Sequence, residues 1–430
     1  MSTQEPAGSK ALRRGAAWLL AAGLLASAIG SAAAAVLSSD DRLRQFMQTV
    51  RAKTVAGQSG GQAVRDAAAV SPARLQERAD LIKKGETALS RLQVTAALDA
   101  FERAALILHG ADTEIALMRG YMQSGNYRRA LTFGAHTAGA HLDVVGGALL
   151  YAWLLHAGGQ PAIAQQLLAD TEARMPGEQM VREMRLELRQ EMRPELRAGL
   201  LQNGSPSQKL PTRLAPYAST KGLPRNARVV GSAVLLPGGV QALVPLALVP
   251  RSGQLWLRNG LGQLTGAAVD KKLDSLGVAL VRLQSPLPMP DDVQLATNEA
   301  FPGSPGFAVE YAASADAAPA WPVLRTGFLG GIGSNGERLV GIDLPAGAHG
   351  GPVFDGAGQL MGLVLPGKGG SGTDRLVTAV QLRAALGTGF GALPVQAAVS
   401  LAAPSAKPRA AVDAVYESSL KTSLQAITAP

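Results

Sequence analysis

Apolar positions recur along this chain with two different periods, and the change falls near residue 228. Upstream the period is helical. Leu43, Phe46, Met47 and Val50 stand at i, i+3, i+4 and i+7, one face of a helix. Residues 36–80 therefore read as a helical leader, either a mobile arm or a capping helix pair, broken by the Gly/Ser/Gln-rich stretch Ala56–Gln62. Downstream the apolar runs are short and cut by Gly and Pro. Val229–Leu236, Gln254–Arg258, Val278–Leu283, Gly306–Tyr311, Arg338–Asp343, Leu360–Leu365 and Leu376–Val380 are such runs, and their spacing predicts a β-sandwich or a pair of barrels. Helical spacing returns at Val412, Tyr416, Leu420 and Leu424, a last amphipathic helix that either docks on the body or enters a partner's groove.

Between Ile82 and Pro176 the helical texture repeats. Ala97, Ala130 and Ala164 superpose at intervals of 33 and 34 residues. Tyr121, Gly125 and Tyr127 surround the second alanine; Gly159, Pro161, Leu168 and Pro176 surround the third; Phe101 and Ala104 follow the first. Small residues let antiparallel helices approach closely, a glycine ends the first helix, and larger apolar residues fill the gap. This grid resembles the tetratricopeptide repeat (TPR), a helix–turn–helix unit of the same period. The first unit departs from it, with Leu92 where the turn glycine belongs. The resemblance implies an α-solenoid whose inner helices line a concave groove, with Glu86, Ser90, Arg119, Gln123 and Trp153 facing into it and His156 one position off. A bound peptide or partner helix is one reading of that lining, and Trp153 packed against a neighbour is the other. Gly177–Leu201 alternates Arg and Glu over an apolar stripe of Met180, Met184, Leu188 and Met192, the pattern of a polar-faced cap or a charged partner surface.

One β-region segment carries chemistry. Gly347-Ala348-His349-Gly350-Gly351-Pro352, followed by Gly358-Gln359-Leu360, resembles the nucleophile loop of trypsin-like serine proteases of the periplasmic heat-shock type, with His349 in the place of the serine. Ala242–Val249 is similar to that family's general-base segment, with Ala247 at the histidine, and Leu276–Leu283 to its aspartate strand, with Gly277 at the aspartate. The resemblance covers residues 228–388 and implies a trypsin-like double β-barrel without its triad. The residues agree independently. Serine hydrolysis needs an imidazole within reach of the hydroxyl. Of five histidines, His109, His136, His141 and His156 lie in the helical part, and His349 stands alone in the β-region, already at the nucleophile position. The Gly347, His349, Gly350 and Gly351 backbone is what a peptide carbonyl would meet if a binding cleft survives; otherwise the loop serves the barrel alone.

Composition narrows the rest. The chain has 430 residues, 47% of them apolar and 17% charged, which excludes wholesale disorder. It has no cysteine, so disulfides and thiolate chemistry are excluded. Net charge is +9, but the arginines are scattered and no basic run interleaves with aromatics, so nucleic acid is not an expected partner. Lys10, Arg13 and Arg14 precede an apolar stretch ending in Ser31–Ala35, the pattern of a secretory signal with a cut before Val36; an uncleaved inner-membrane anchor is the alternative.

The expected organisation is a signal peptide at 1–35, a leader at 36–80, TPR-like repeats with a capping helix at 81–201, a linker at 202–227, the trypsin-like domain at 228–388, and an Ala/Pro linker with a terminal helix at 389–430. The expected class is multidomain α + β: a solenoid followed by a double barrel. The expected function is a non-catalytic, protein-binding scaffold of the bacterial envelope, periplasmic or secreted. Its partners would be envelope proteins or peptides, with no cofactor or metal and no membrane span once the signal is removed. A trypsin-like endopeptidase or hydrolase with a non-standard site is the alternative. The sequence sets no oligomeric state.

Overall fold

A computed structural model of the chain describes residues 70–189, 216–290, 293–333, 336–345, 349–367, 374–387 and 411–429. The signal segment, the Leu43–Val50 face, the Ala56–Gln62 break, Met192, Gly347 and the Ala/Pro linker at 389–410 lie outside the described residues.

Helical hairpins come first. Helix α1 (Pro72–Ser90) packs on α2 (Val94–Ile107), α3 (Ala111–Gln123) on α4 (Tyr127–Ala140), and α5 (Val145–Ala157) on α6 (Pro161–Arg174), followed by α7 (Gln179–Arg189). Ala97, Ala130 and Ala164 are each the fourth residue of the second helix of a pair, and each is fully buried. The turns repeat as well. Gly125 and Gly159 take left-handed φ values of +81° and +79°, and Leu92 takes +59° at the same place. In each turn the next amide reaches back to a carbonyl five residues earlier: Gln93 to Ala88, Asn126 to Tyr121 and Gln160 to Leu155. The first unit thus keeps its turn without glycine, with a Cβ in a region that disfavours one. Helices α1, α3, α5 and α7 also touch in succession, forming the inner row of an α-solenoid. The 80/81 boundary needs correction: Ser71 caps the helix that Pro72 opens, so residues 72–80 belong to the first hairpin rather than to a leader.

Two closed six-strand barrels follow. The first runs in the order β1 (Arg228–Leu235), β12 (Ser423–Thr428), β3 (Leu255–Asn259), β4 (Leu264–Leu273), β5 (Val278–Leu283), β2 (Gln241–Pro245). The second runs β10 (Leu360–Leu365), β11 (Arg375–Thr378), β8 (Arg338–Gly341), β7 (Val323–Ile332), β6 (Pro305–Glu310), β9 (Pro352–Asp355). Alternation fills each interior, with Ala233, Leu235, Val244, Leu257 and Val281 in one and Ala308, Leu329, Val353, Val364 and Leu376 in the other. The short helix α8 (Ala379–Leu386) follows β11, capped by Thr378 and Gln381.

The terminal helix α9 spans Val412–Thr422, and there the periodicity misleads. Leu424 does not extend it but begins the inward face of β12, with Ala233 opposite Leu424 on β1 and Leu257 opposite Ala426 on β3. The trypsin-like unit therefore does not end at 388: residues 423–428 fill the gap between β1 and β3 and close its first barrel. All six residues of β12 are buried. Among the described residues no helix is long and apolar enough to cross a membrane.

Candidate functional site

The three positions aligned with the catalytic triad meet where the barrels touch. Ala247 sits in a single 3₁₀ turn after β2, its methyl exposed. The Leu246 amide of that turn donates to the Gly277 carbonyl (2.9 Å), joining two of the positions. Across the seam, the Ser232 amide donates to the His349 carbonyl (3.0 Å), and Gly350 packs on Ser232 and Pro245. Gly350 has φ +105°, and a Cβ there would stand 2.2 Å from the Ser232 carbonyl oxygen, so the tight turn of the loop admits no larger residue. A side chain at Gly277 would run into the Arg375 guanidinium, 2.9 Å from a built Cβ, and Arg375 donates to the Leu276 carbonyl. The place of the aspartate is filled from the other barrel.

His349 is neither idle nor paired with a hydroxyl among the described residues. Its Nε2 lies 2.8 Å from Asp374 Oδ1, with the two side chains only 17% and 19% exposed. Beneath it, Glu310 at the end of β6 is fully buried and accepts from the Gly351 amide (2.9 Å). Burial pushes the Glu310 carboxyl well above the usual range; the Ser232 hydroxyl and the Gly351 amide lower it by less, and the Asp374 charge adds to the rise. The Ser232 hydroxyl accepts from the Tyr311 amide (2.7 Å) and is fully buried, which withdraws it from chemistry. The Gly350 amide donates to the Val364 carbonyl (2.9 Å). Of the four loop positions expected to hold a peptide carbonyl, Gly350 and Gly351 thus turn their amides inward, and Gly347 lies outside the described residues.

The expected groove is corrected more fully, because the chain's own barrels cover it. Arg119 is 2% exposed, makes a two-pronged pair with Glu86 (2.6 and 3.0 Å), and lies 3.3 Å from the Tyr217 hydroxyl. Gln123 donates to the carbonyls of Tyr217 (3.0 Å) and Leu261 (2.7 Å) and accepts from the Tyr217 amide (2.9 Å). Tyr217 belongs to the stretch expected to be linker, and these bonds fix it to the solenoid. Trp153 is buried against Trp321, ring centroids 5.0 Å apart. Nearby, Tyr127 meets Tyr416 edge-on at 4.5 Å, and Arg128 binds Glu417. His156 sits in the same interface, where burial and then the Arg325 charge lower its pKa to about 4. Ser90 alone of the groove set is exposed. These side chains hold the two halves together instead of waiting for a guest.

Sequence reasoning missed Asp374 and Glu310. Glu310 left a signal, a carboxylate inside the apolar run Gly306–Tyr311; Asp374 left none, being an ordinary acid before a strand.

No protein-family model matches the chain, and no curated protein matches it. Solved structures do. The apo MamO protease domain of Magnetospirillum magneticum is 18% identical at a TM-score of 0.28, covering 38% of this chain and 97% of that one. A serine endoprotease of Yersinia pestis is 12% identical at a TM-score of 0.29, with 38% of this chain and 61% of that one covered. The chain thus spans under two thirds of the second protein's length. Its class is defined by its own strands: an α-solenoid followed by a trypsin-like double β-barrel.

Proposed function

We propose that this protein is a non-catalytic scaffold of the bacterial envelope, in which TPR-like repeats and an inactive trypsin-like domain form one continuous protein-binding body. One observation carries the reading: the side chain at the nucleophile position is an imidazole tied to Asp374, with Ala247 and Gly277 at the other two positions. Without a hydroxyl held by a free base there is no acyl transfer of the triad type. Partner contacts fall on surfaces other than the solenoid's inner face. The basic, apolar and small-residue order of Lys10–Ala35 supports export.

A second reading has its own support. A histidine oriented by a carboxylate is half of a general-base device, so a hydrolase of non-standard type would use His349 and Asp374. Casein and ester hydrolysis, together with fluorophosphonate labelling of the purified full chain, separate the two. We expect no turnover above buffer and no label. Hydrolysis that His349→Ala or Asp374→Asn abolishes would replace the scaffold with the enzyme.

A further inference from the structure

Three of the five histidines gather at one end of the second hairpin, around one carboxylate. His109 sits in the loop between α2 and α3, Glu114 in the first turn of α3, His136 near the end of α4, and His141 just past it. Because α3 and α4 run antiparallel, these points are neighbours. The Nε2 atoms of His109, His136 and His141 lie 2.6, 3.2 and 3.4 Å from Glu114 Oε1. The donor atoms of His109, Glu114 and His136 all fall within 4.8 Å of one another. Glu114 is fully buried, while His109 and His136 are 54% and 55% exposed, so the cluster has a buried floor and an open rim.

A plain hydrogen-bond network fits these contacts poorly. Despite the short separations, neither Glu114 oxygen receives a well-aligned hydrogen bond, and neither does His141 Nε2 find an aligned partner. An N–H···O bond needs the hydrogen on the line between the atoms. Nitrogens that crowd an oxygen without that alignment suit ligands sharing a central ion. Around a tetrahedral ion with bonds of about 2.0–2.1 Å, donor atoms stand roughly 3.3 Å apart. The His136 separation from Glu114 agrees with that spacing, and the closer His109 rides on an exposed loop.

The surroundings are built for charge. The carboxylate stands at the N-terminal end of α3, and the C-terminal end of α4 favours a cation beside it. Arg78 donates to the Leu108 carbonyl (2.9 Å) and pairs with Asp112, fastening the His109 loop to α1 and α3.

We propose that His109, Glu114 and His136 form a site for a first-row divalent transition ion of the zinc type, with His141 bordering it through Glu114. Two imidazoles and one carboxylate are nitrogen-rich, which selects against magnesium and calcium. Three protein donors leave a fourth position on the exposed rim, to be filled by water or a further ligand.

The test uses the full chain stripped with a chelator and titrated with Co²⁺ as a spectroscopic reporter, then with Zn²⁺. We expect one equivalent of Co²⁺ with the intense absorption of four-coordinate geometry, displaced by Zn²⁺ and indifferent to excess Mg²⁺. His136→Ala, at an exposed and foldable position, and Glu114→Gln should each weaken binding at least about tenfold. His349→Ala should leave it unchanged, and circular dichroism reports whether each variant folds. Uptake well below one equivalent, a weak six-coordinate spectrum, or binding that survives His136→Ala would each overturn the site.

Discussion

The helical half of the molecule is ordered by neighbours in sequence, and the first barrel by a strand far away. Each solenoid hairpin closes within a 33- or 34-residue interval, whereas β1, beginning at Arg228, finds one of its two partners at Ser423–Thr428. Two buried glutamates follow the same division. Glu114 meets imidazoles brought by its own hairpin, and its carboxyl is held low despite burial; Glu310 meets one amide from a distant loop and the Ser232 hydroxyl, and burial pushes its carboxyl up. Local structure can place several donors around a charge. A closed barrel, with its backbone donors spent on the sheet, leaves few, and burial prevails over them.

Removing residues 411–430 should break this contrast most visibly. Barrel 1 loses β12 and opens edges on β1 and β3, while the hairpins lose the contacts of a single short helix, those of Tyr416 and Glu417 among them. The expected result is loss of the barrel's unfolding transition, a cost of several kcal/mol, with most far-ultraviolet helical signal retained. Trp321→Ala comes next. It empties the contact with Trp153 and should cost about 3–5 kcal/mol by urea denaturation, with the solenoid losing stability alongside the barrels.

Glu310→Gln affects the barrel side alone. The folded pKa lies above the unfolded one, so the wild type loses stability as pH rises past the unfolded pKa, by up to about 1.4 kcal/mol per unit. The glutamine variant should lack that slope, gaining at pH 7 and nothing at pH 4. His156 carries the opposite sign. Its folded pKa of about 4 lies below the ordinary 6.5, so the unfolded chain takes a proton first and stability falls as pH drops between those values. His156→Gln should remove at most about 3 kcal/mol of that loss, read from thermal melts across the window. Smallest is Leu92→Gly. It relieves the left-handed leucine but loosens the unfolded chain, for a net gain of about 0.5–1 kcal/mol confined to the first hairpin.

Much of this was legible in the residues. The alanine register, the turn at Leu92 and the loop at His349 are local patterns, and local patterns survive folding. Two readings stood open for the solenoid's inner lining, a groove or Trp153 packed on a neighbour, and the reason for the packing at Trp321 was written in α5. Val145–Ala157 is apolar on every side, and such a helix is buried on every side, so Trp153 had no open face to line. Leu424 extends the spacing of Val412, Tyr416 and Leu420 by one more step, and only a partner at Ala233 shows that the chain has already turned to strand. The histidines at 109, 136 and 141 have no metal-motif spacing; the antiparallel pairing of α3 and α4 brings them together.

The late strand also fixes an order of assembly. Every strand of the second barrel lies between Pro305 and Thr378, so that barrel can shut while the first still waits, gaping between β1 and β3, for residues 423–428 to be synthesised. The module whose first strand emerges earlier is therefore finished later. Until then it carries two sticky margins, vulnerable to stray pairing with a neighbouring nascent chain.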